Sequence, residues 1–132
     1  MRFVLDASIA ITWAMRDEDH PLADLAFLHI QSDSAIVPSI WWYEIWNILV
    51  MNERRNRISP GDSAKFLRDL NQFSIAVDFP NGTHLMDLSR KHKLSVYDSA
   101  YLAAAQSNRL PLATLDKTLE AAALAEGISL LA

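Results

Sequence analysis

The chain contains no cysteine, only 3 glycines and 5 prolines in 132 residues, and no apolar run near membrane-spanning length. Without thiols there can be no cysteine nucleophile, thiolate zinc site, iron–sulfur cluster or disulfide staple, and a reducing, cytoplasmic setting is expected. Phe3-Val4-Leu5 is followed at once by Asp6, too short an apolar stretch for a signal peptide, and a membrane helix would need about 20 apolar residues. Positive charge is also scarce: 12 Lys and Arg face 16 Asp and Glu, a net charge of −4. That balance excludes a simple basic nucleic-acid clamp, but not an enzyme whose cations meet phosphates. Neither a Gly-x-Ser-x-Gly elbow nor a P-loop occurs, so acyl transfer and nucleotide cradling find no support.

What is present is enough apolar residue, 51%, for one core in a chain of this length. Short β-rich runs alternate with longer stretches of helical period, the rhythm of βαβ units around a parallel sheet. Strands are expected at Arg2 to Leu5, Ala35 to Val37, Ser74 to Val77 and Leu112 to Leu115, with a short final one at Ser129 to Leu131. Helices are expected at Ser8 to Met15, Pro21 to Gln31, Ser39 to Asn56, Pro60 to Phe73, Thr83 to Lys91, Val96 to Ser107 and Lys117 to Ala125. Ser59-Pro60 offers a cap followed by proline in the first turn, and Gly127 a stop after the last helix. Asp17-Glu18-Asp19-His20-Pro21 reads as a solvated loop. Without repeats or a Gly/Ser-rich linker, residues 1–132 read as a single domain.

Four acids stand out by position. Asp6 and Asp116 directly follow two expected strands, the address at which open parallel sheets bind ligands. Glu44 lies inside an unusually apolar helix, one and a half turns from its expected start, sharing a stripe with Asn47 and opposite Trp42, Ile45, Trp46 and Leu49. Asp98 falls in the first turn of a later helix, beside Tyr97 and Tyr101. Four carboxylates gathered in one crevice repel each other unless a cation sits among them, and oxygen-only ligands select Mg²⁺ or Mn²⁺ over zinc. The plainer reading is that Asp6, Asp98 and Asp116 cap helices, with Ser95 to Asp98 at capping-box spacing. Glu44 is too deep for that role, although a long side chain can also snorkel to water.

Taken in order, Val4-Leu5-Asp6-Ala7-Ser8, Glu44-Ile45-Trp46-Asn47-Ile48-Leu49, Tyr97-Asp98-Ser99-Ala100-Tyr101-Leu102-Ala103 and Leu112-Ala113-Thr114-Leu115-Asp116 resemble the motifs of PIN-domain ribonucleases, especially VapC-type toxins of toxin–antitoxin pairs. The resemblance implies a three-layer α/β/α sandwich with a central parallel sheet, and an Mg²⁺ or Mn²⁺ site on Asp6, Glu44, Asp98 and Asp116. It further implies support from the hydroxyls of Ser8 and Thr114 and from Asn47. Endonucleolytic cutting of RNA to 5′-phosphate and 3′-hydroxyl ends, silencing by an antitoxin protein, and a homodimer follow from it as expectations. The Trp41, Trp42, Trp46 stretch departs from the family pattern.

Three further features admit two readings each. Arg54, Arg55 and Arg57, and Arg90, Lys91, His92 and Lys93, are either dipole partners at helix ends or a track for the RNA backbone. Trp42 and Trp46 are either core, the default, or a surface for a second copy or an antitoxin. His20, His29, His84 and His92 show no ligand spacing. The competing functions are a non-catalytic PIN-like interaction module whose acids are caps, and a receiver-type phosphoacceptor. The latter wants an acid pair after the first strand and a late lysine, where this chain has Asp6-Ala7 and Thr114.

Overall fold

The computed structural model describes residues 1–15 and 20–132, so most of the expected 17–21 loop lies outside the described residues. Four strands, β1 (Phe3–Leu5), β2 (Ala35–Pro38), β3 (Ile75–Asp78) and β4 (Leu112–Ala113), form one parallel sheet in the order β3-β2-β1-β4. Every residue of β1, β2 and β4 is buried. Since neighbouring side chains on a strand point to opposite faces, that pattern requires cover on both sides of the sheet. Helices α1 (Ala7–Ala10), α2 (Pro21–Ser32), α3 (Trp41–Arg54), α4 (Pro60–Leu70), α5 (Gly82–His92), α6 (Val96–Asn108) and α7 (Lys117–Ala125) supply it. The result is the expected α/β/α arrangement. Helix α6 lies against β1, β2 and β4 with α5 and α7 at its sides, and it is buried without a break from Ser99 to Ala105. No helix among the described residues is long and apolar enough to cross a membrane.

The elements differ from the sequence reading mainly at their ends, and each difference has a local cause. The first helix starts at Ala7 and tightens after Ala10 into a 3₁₀ turn over Ile11–Trp13. Ser39 does not enter α3, because its amide extends the β2–β3 ladder to the Asp78 carbonyl at 3.1 Å. The fourth strand stops at Ala113 rather than Leu115, since the Leu115 amide is given to Ser8 Oγ at 3.1 Å. The final strand shrinks to a single parallel bridge between Leu112 and Leu130. Ser59 caps α4 in a reciprocal box with Asp62, and Gly127 leaves α7 at φ 73°, a left-handed conformation glycine adopts without strain.

Candidate active site

The carboxyl ends of parallel strands share one rim, and β1 and β4 are hydrogen-bonded neighbours. Asp6, immediately beyond β1, is 7% exposed and its Oδ2 accepts two hydroxyls. Ser8 Oγ donates at 2.8 Å from the first turn of α1, and Thr114 Oγ1 at 2.5 Å from the end of β4. Both hydroxyls also accept a backbone amide: Ser8 Oγ that of Leu115 on the opposite segment, and Thr114 Oγ1 that of Asp116 on its own, at 3.0 Å. The two segments, more than a hundred residues apart in sequence, are thereby locked together around one carboxylate.

Glu44 sits half-buried in the first turn of α3, because that helix begins at Trp41 and not at Ser39. It caps nothing. Its Oε1 accepts the Tyr101 hydroxyl at 2.5 Å, and Tyr101 Oη in turn receives the Ala7 amide at 3.4 Å. Burial raises the Glu44 pKa above the usual carboxylate value, the Tyr101 bond counters it, and the charges of Asp6 and Asp98 add to the rise. Tyr101 itself is pushed well above the ordinary phenol value, first by burial and then by Asp6 and Glu44, so it remains a donor. Asp98 is also raised, by burial and by the charges of Asp116 and Asp6. Glu44 and Asp98 are thus each raised by two of the other acids.

Helix capping involves the three aspartates unequally. Asp116 is a true cap: its Oδ1 accepts the amides of Thr118 at 2.9 Å and Leu119 at 3.1 Å. Asp6 occupies the cap position of α1 without a side-chain capping bond. For α6 the cap is Ser95, whose Oγ receives the Asp98 amide at 3.0 Å; Asp98 does not reciprocate, as Asp62 does in α4. Capping thus accounts for one aspartate of three.

The hydrogen bonds also divide the oxygens of these acids. Asp6 Oδ2, Glu44 Oε1 and Asp116 Oδ1 are held by protein donors, whereas Asp6 Oδ1, Glu44 Oε2 and Asp116 Oδ2 have none among the described residues. One oxygen anchored and the other left for a ligand is the division that a hard cation's ligands need. The donor chemistry, carboxylate oxygens without thiolate, is of the kind that Mg²⁺ or Mn²⁺ takes. No three acidic or imidazole side chains among the described residues are drawn together closely enough to hold an ion as they stand. Like charges resist closer approach without a cation between them.

Asn47 is not part of this cluster. It is exposed, and its amide turns to Met51 Sδ at 3.5 Å. The stripe that α3 buries is Trp41, Ile45, Leu49 and Asn52, which keeps Ile45 and Leu49 of the expected side and replaces Trp42 and Trp46. Trp41 is therefore the core tryptophan, Trp42 is half-buried, and Trp46, assigned to the core by default, is 45% exposed beside Tyr43 with ring centroids 5.4 Å apart. Of the two basic clusters, the second is largely neutralised: Lys91 and His92 reach Glu126 at 2.7 and 2.6 Å, and Arg90 reaches Asp87 at 3.5 Å. Tyr101 is the site residue whose role the sequence reading did not assign. Its position three residues after Asp98, on the same face of α6, is the signal that places it beside the acids.

Comparison with known proteins agrees with this architecture. Ribonuclease VapC3 of Pyrobaculum aerophilum is 28% identical over 123 residues, covering 90% of this chain and 92% of that protein. The crystal structure of PAE2754 from Pyrobaculum aerophilum superposes with a TM-score of 0.72 at 24% identity, over 92% of this chain and 79% of the other. A toxin–antitoxin complex from Klebsiella pneumoniae gives 0.56 at 18% identity, over 83% and 82%. These two structural likenesses concern the fold. The model of the PIN domain matches residues 3–125, from the first strand to the end of α7, and the chain belongs to the PIN-domain family.

Proposed function

We propose that the chain is a metal-dependent endoribonuclease, the toxin of a type II toxin–antitoxin pair, working as a single PIN domain over residues 1–132. The observation that carries this reading is the divided carboxylate set: Asp6, Glu44 and Asp116 each give one oxygen to a protein donor, and the other meets no donor among the described residues. Helix capping alone does not require that arrangement of Asp6 or Glu44, which weighs against the interaction-module alternative. The 28% identity to Ribonuclease VapC3 over most of both chains supports RNA as the substrate.

In this reading Asp6, Asp98 and Asp116, with Glu44 directly or through water, hold Mg²⁺ or Mn²⁺. When bound, the ion supplies a water of lowered pKa and offsets charge on the scissile phosphate. The protein's own part is positioning. Ser8 and Thr114 fix Asp6 at the seam between β1 and β4, and Tyr101 fixes Glu44 across from it. Attack of a water oxygen on phosphorus, in line with the departing 3′-oxygen, leaves a 5′-phosphate and a 3′-hydroxyl. A protein antitoxin and a second copy of the chain are the expected partners, and Trp46, Val50 and Met51 offer exposed apolar surface along α3.

The test is cleavage of an RNA pool in Mg²⁺ or Mn²⁺ with the product ends sequenced. Cutting is expected to stop with chelator and with Asp98→Asn. Cutting that persists in either condition refutes the assignment.

A further inference from the structure

An open, apolar pocket of about 320 Å³ lies beside the acids on the same rim of the sheet, a volume at the small end of the range for small-ligand sites. Its walls come from the start of α3, Pro80 beyond β3, Leu85 of α5 and the first turn of α6. Two tyrosines line it, and each adjoins a site carboxylate in the chain: Tyr43 precedes Glu44, and Tyr97 precedes Asp98. Both residues are more than half exposed, at 66% and 62%. Tyr43 leans edge-on toward Trp46, whereas Tyr97 meets no aromatic ring among the described residues. No charged side chain lines the pocket.

Resting on the ribonuclease reading, we propose that this pocket receives one unpaired nucleobase of the RNA, next to the phosphate being cut, with Tyr97 and Tyr43 as its stacking walls. Three observations favour a base over other occupants. The pocket is too small for a duplex, and a base bound there is continuous with the acids through the first turns of both α3 and α6. Aromatic faces bind any base that has left its stack, a sequence-tolerant contact. The protein also carries a net charge of −4, so phosphate attraction over the whole surface cannot hold the substrate, and stacking supplies affinity that salt does not screen. The pocket would accordingly engage an unstacked base beside the cut whatever its identity.

The experiment separates this proposal from the reading it rests on by measuring binding where no cutting occurs. In EDTA, a fluorescent mixed-sequence 12-nucleotide single-stranded RNA is titrated against the full chain and against Tyr97→Ala, Tyr97→Phe and Tyr43→Ala. Both tyrosines are exposed, so the variants are expected to fold, as a thermal melt verifies. Loss of one stacking partner should weaken binding by about 5- to 100-fold, and Tyr97→Phe should keep most of it. In a second arm, methyl signals of Ile40, Leu85 and Val96 are followed by NMR while adenosine or uridine 5′-monophosphate is added. Shifts with the nucleotides and none with ribose 5-phosphate are expected. RNA binding unmoved by Tyr97→Ala, or equal shifts with ribose 5-phosphate, overturns the proposal. Failure of metal-dependent cleavage with base binding intact would instead strike the ribonuclease reading.

Discussion

Replacing Thr114 by Val tests the link between the sheet and the site, because the two side chains have nearly the same shape and differ in one hydroxyl. That hydroxyl is 1% exposed as part of its residue and makes two bonds, donating to Asp6 Oδ2 and accepting from the Asp116 amide. A hydrogen bond to a charged group contributes about 1.5–3 kcal/mol and a neutral one about 0.5–1.5 kcal/mol. The added methyl recovers little, since it faces a carboxylate. A net loss of roughly 2–4 kcal/mol follows, which lowers the melting temperature of a chain this size by about 6–15 °C. Circular dichroism melts at pH 7 in EDTA measure it. Ser8→Ala removes the other donor to the same oxygen, so the double variant should lose more than the sum, by about 0.5–3 kcal/mol. Calorimetric titration supplies the functional half: Mn²⁺ affinity should fall about 10- to 100-fold in Thr114→Val, as for other groups that orient a metal ligand. Additive stability losses would show that the hydroxyls do not share Asp6. Unchanged Mn²⁺ binding in a destabilised Thr114→Val would refute the claim that this clamp serves the site.

Other consequences can be measured separately. Asp98→Asn should raise the metal-free melting temperature at pH 7 by a few degrees while ending cleavage, because it removes a carboxylate that burial and two acids disfavour; an unchanged or lower value contradicts the crowding. Tyr101→Phe should cost on the order of 1.5–3 kcal/mol in urea unfolding and, since the hydroxyl is what lowers the Glu44 pKa, move the Glu44 carboxyl titration upward in ¹³C NMR. The pH dependence has two opposite contributions. Glu44 and Asp98 are raised, so the folded state holds more protons than the unfolded one just above their ordinary values, and their contribution to stability falls as pH rises through that window. Glu126 is lowered to about 2 by Lys91 and His92, so its contribution is present above about pH 4.5 and is lost as pH falls toward 2. Urea midpoints should therefore drop between pH 4.5 and 2 less steeply in Glu126→Gln than in the parent chain; equal slopes would remove Glu126 from the account.

How much of this the sequence disclosed depends on which interactions are local. The Asp6 position was legible because a strand end fixes the rim on which the next residue stands, whereas Asp116, three residues beyond the end of β4, is placed by capping α7. Helix limits set by local chemistry were equally legible, as with Ser59, Pro60 and Asp62 opening α4. The phase of α3 was not. Its residues are apolar on nearly every side, so periodicity could not decide whether Trp41, or Trp42 and Trp46, joins Ile45 and Leu49 at the core, and packing chose Trp41. Asn47 shares the Glu44 side of α3 by spacing, but its amide turns to Met51 and bonds no acid among the described residues. Tyr101 was invisible as a partner of Glu44 for a different reason: 57 residues separate them, and only tertiary packing brings them within hydrogen-bond reach.

The arrangement of the acids also explains why the site is built on the seam between the first and last strands of the chain. A crevice of mutually repelling carboxylates opposes folding, so something must hold its members where they would not settle unaided. At Asp6 the opposing force is two hydroxyl bonds that simultaneously join β1 to β4; at Glu44 it is a tyrosine rooted in the most deeply buried helix. Each acid is restrained by an element whose own place is set by the hydrophobic core. Destabilising the core near these anchors should therefore loosen the site before it unfolds the protein. Leu102, fully buried next to Tyr101 on α6, provides the case: Leu102→Ala is expected to cost about 2–5 kcal/mol. If the anchor model holds, Mn²⁺ affinity in that variant falls at temperatures where circular dichroism still reports a folded chain. Full affinity retained up to the melting transition would mean that the carboxylates organise themselves around the ion without help from the core.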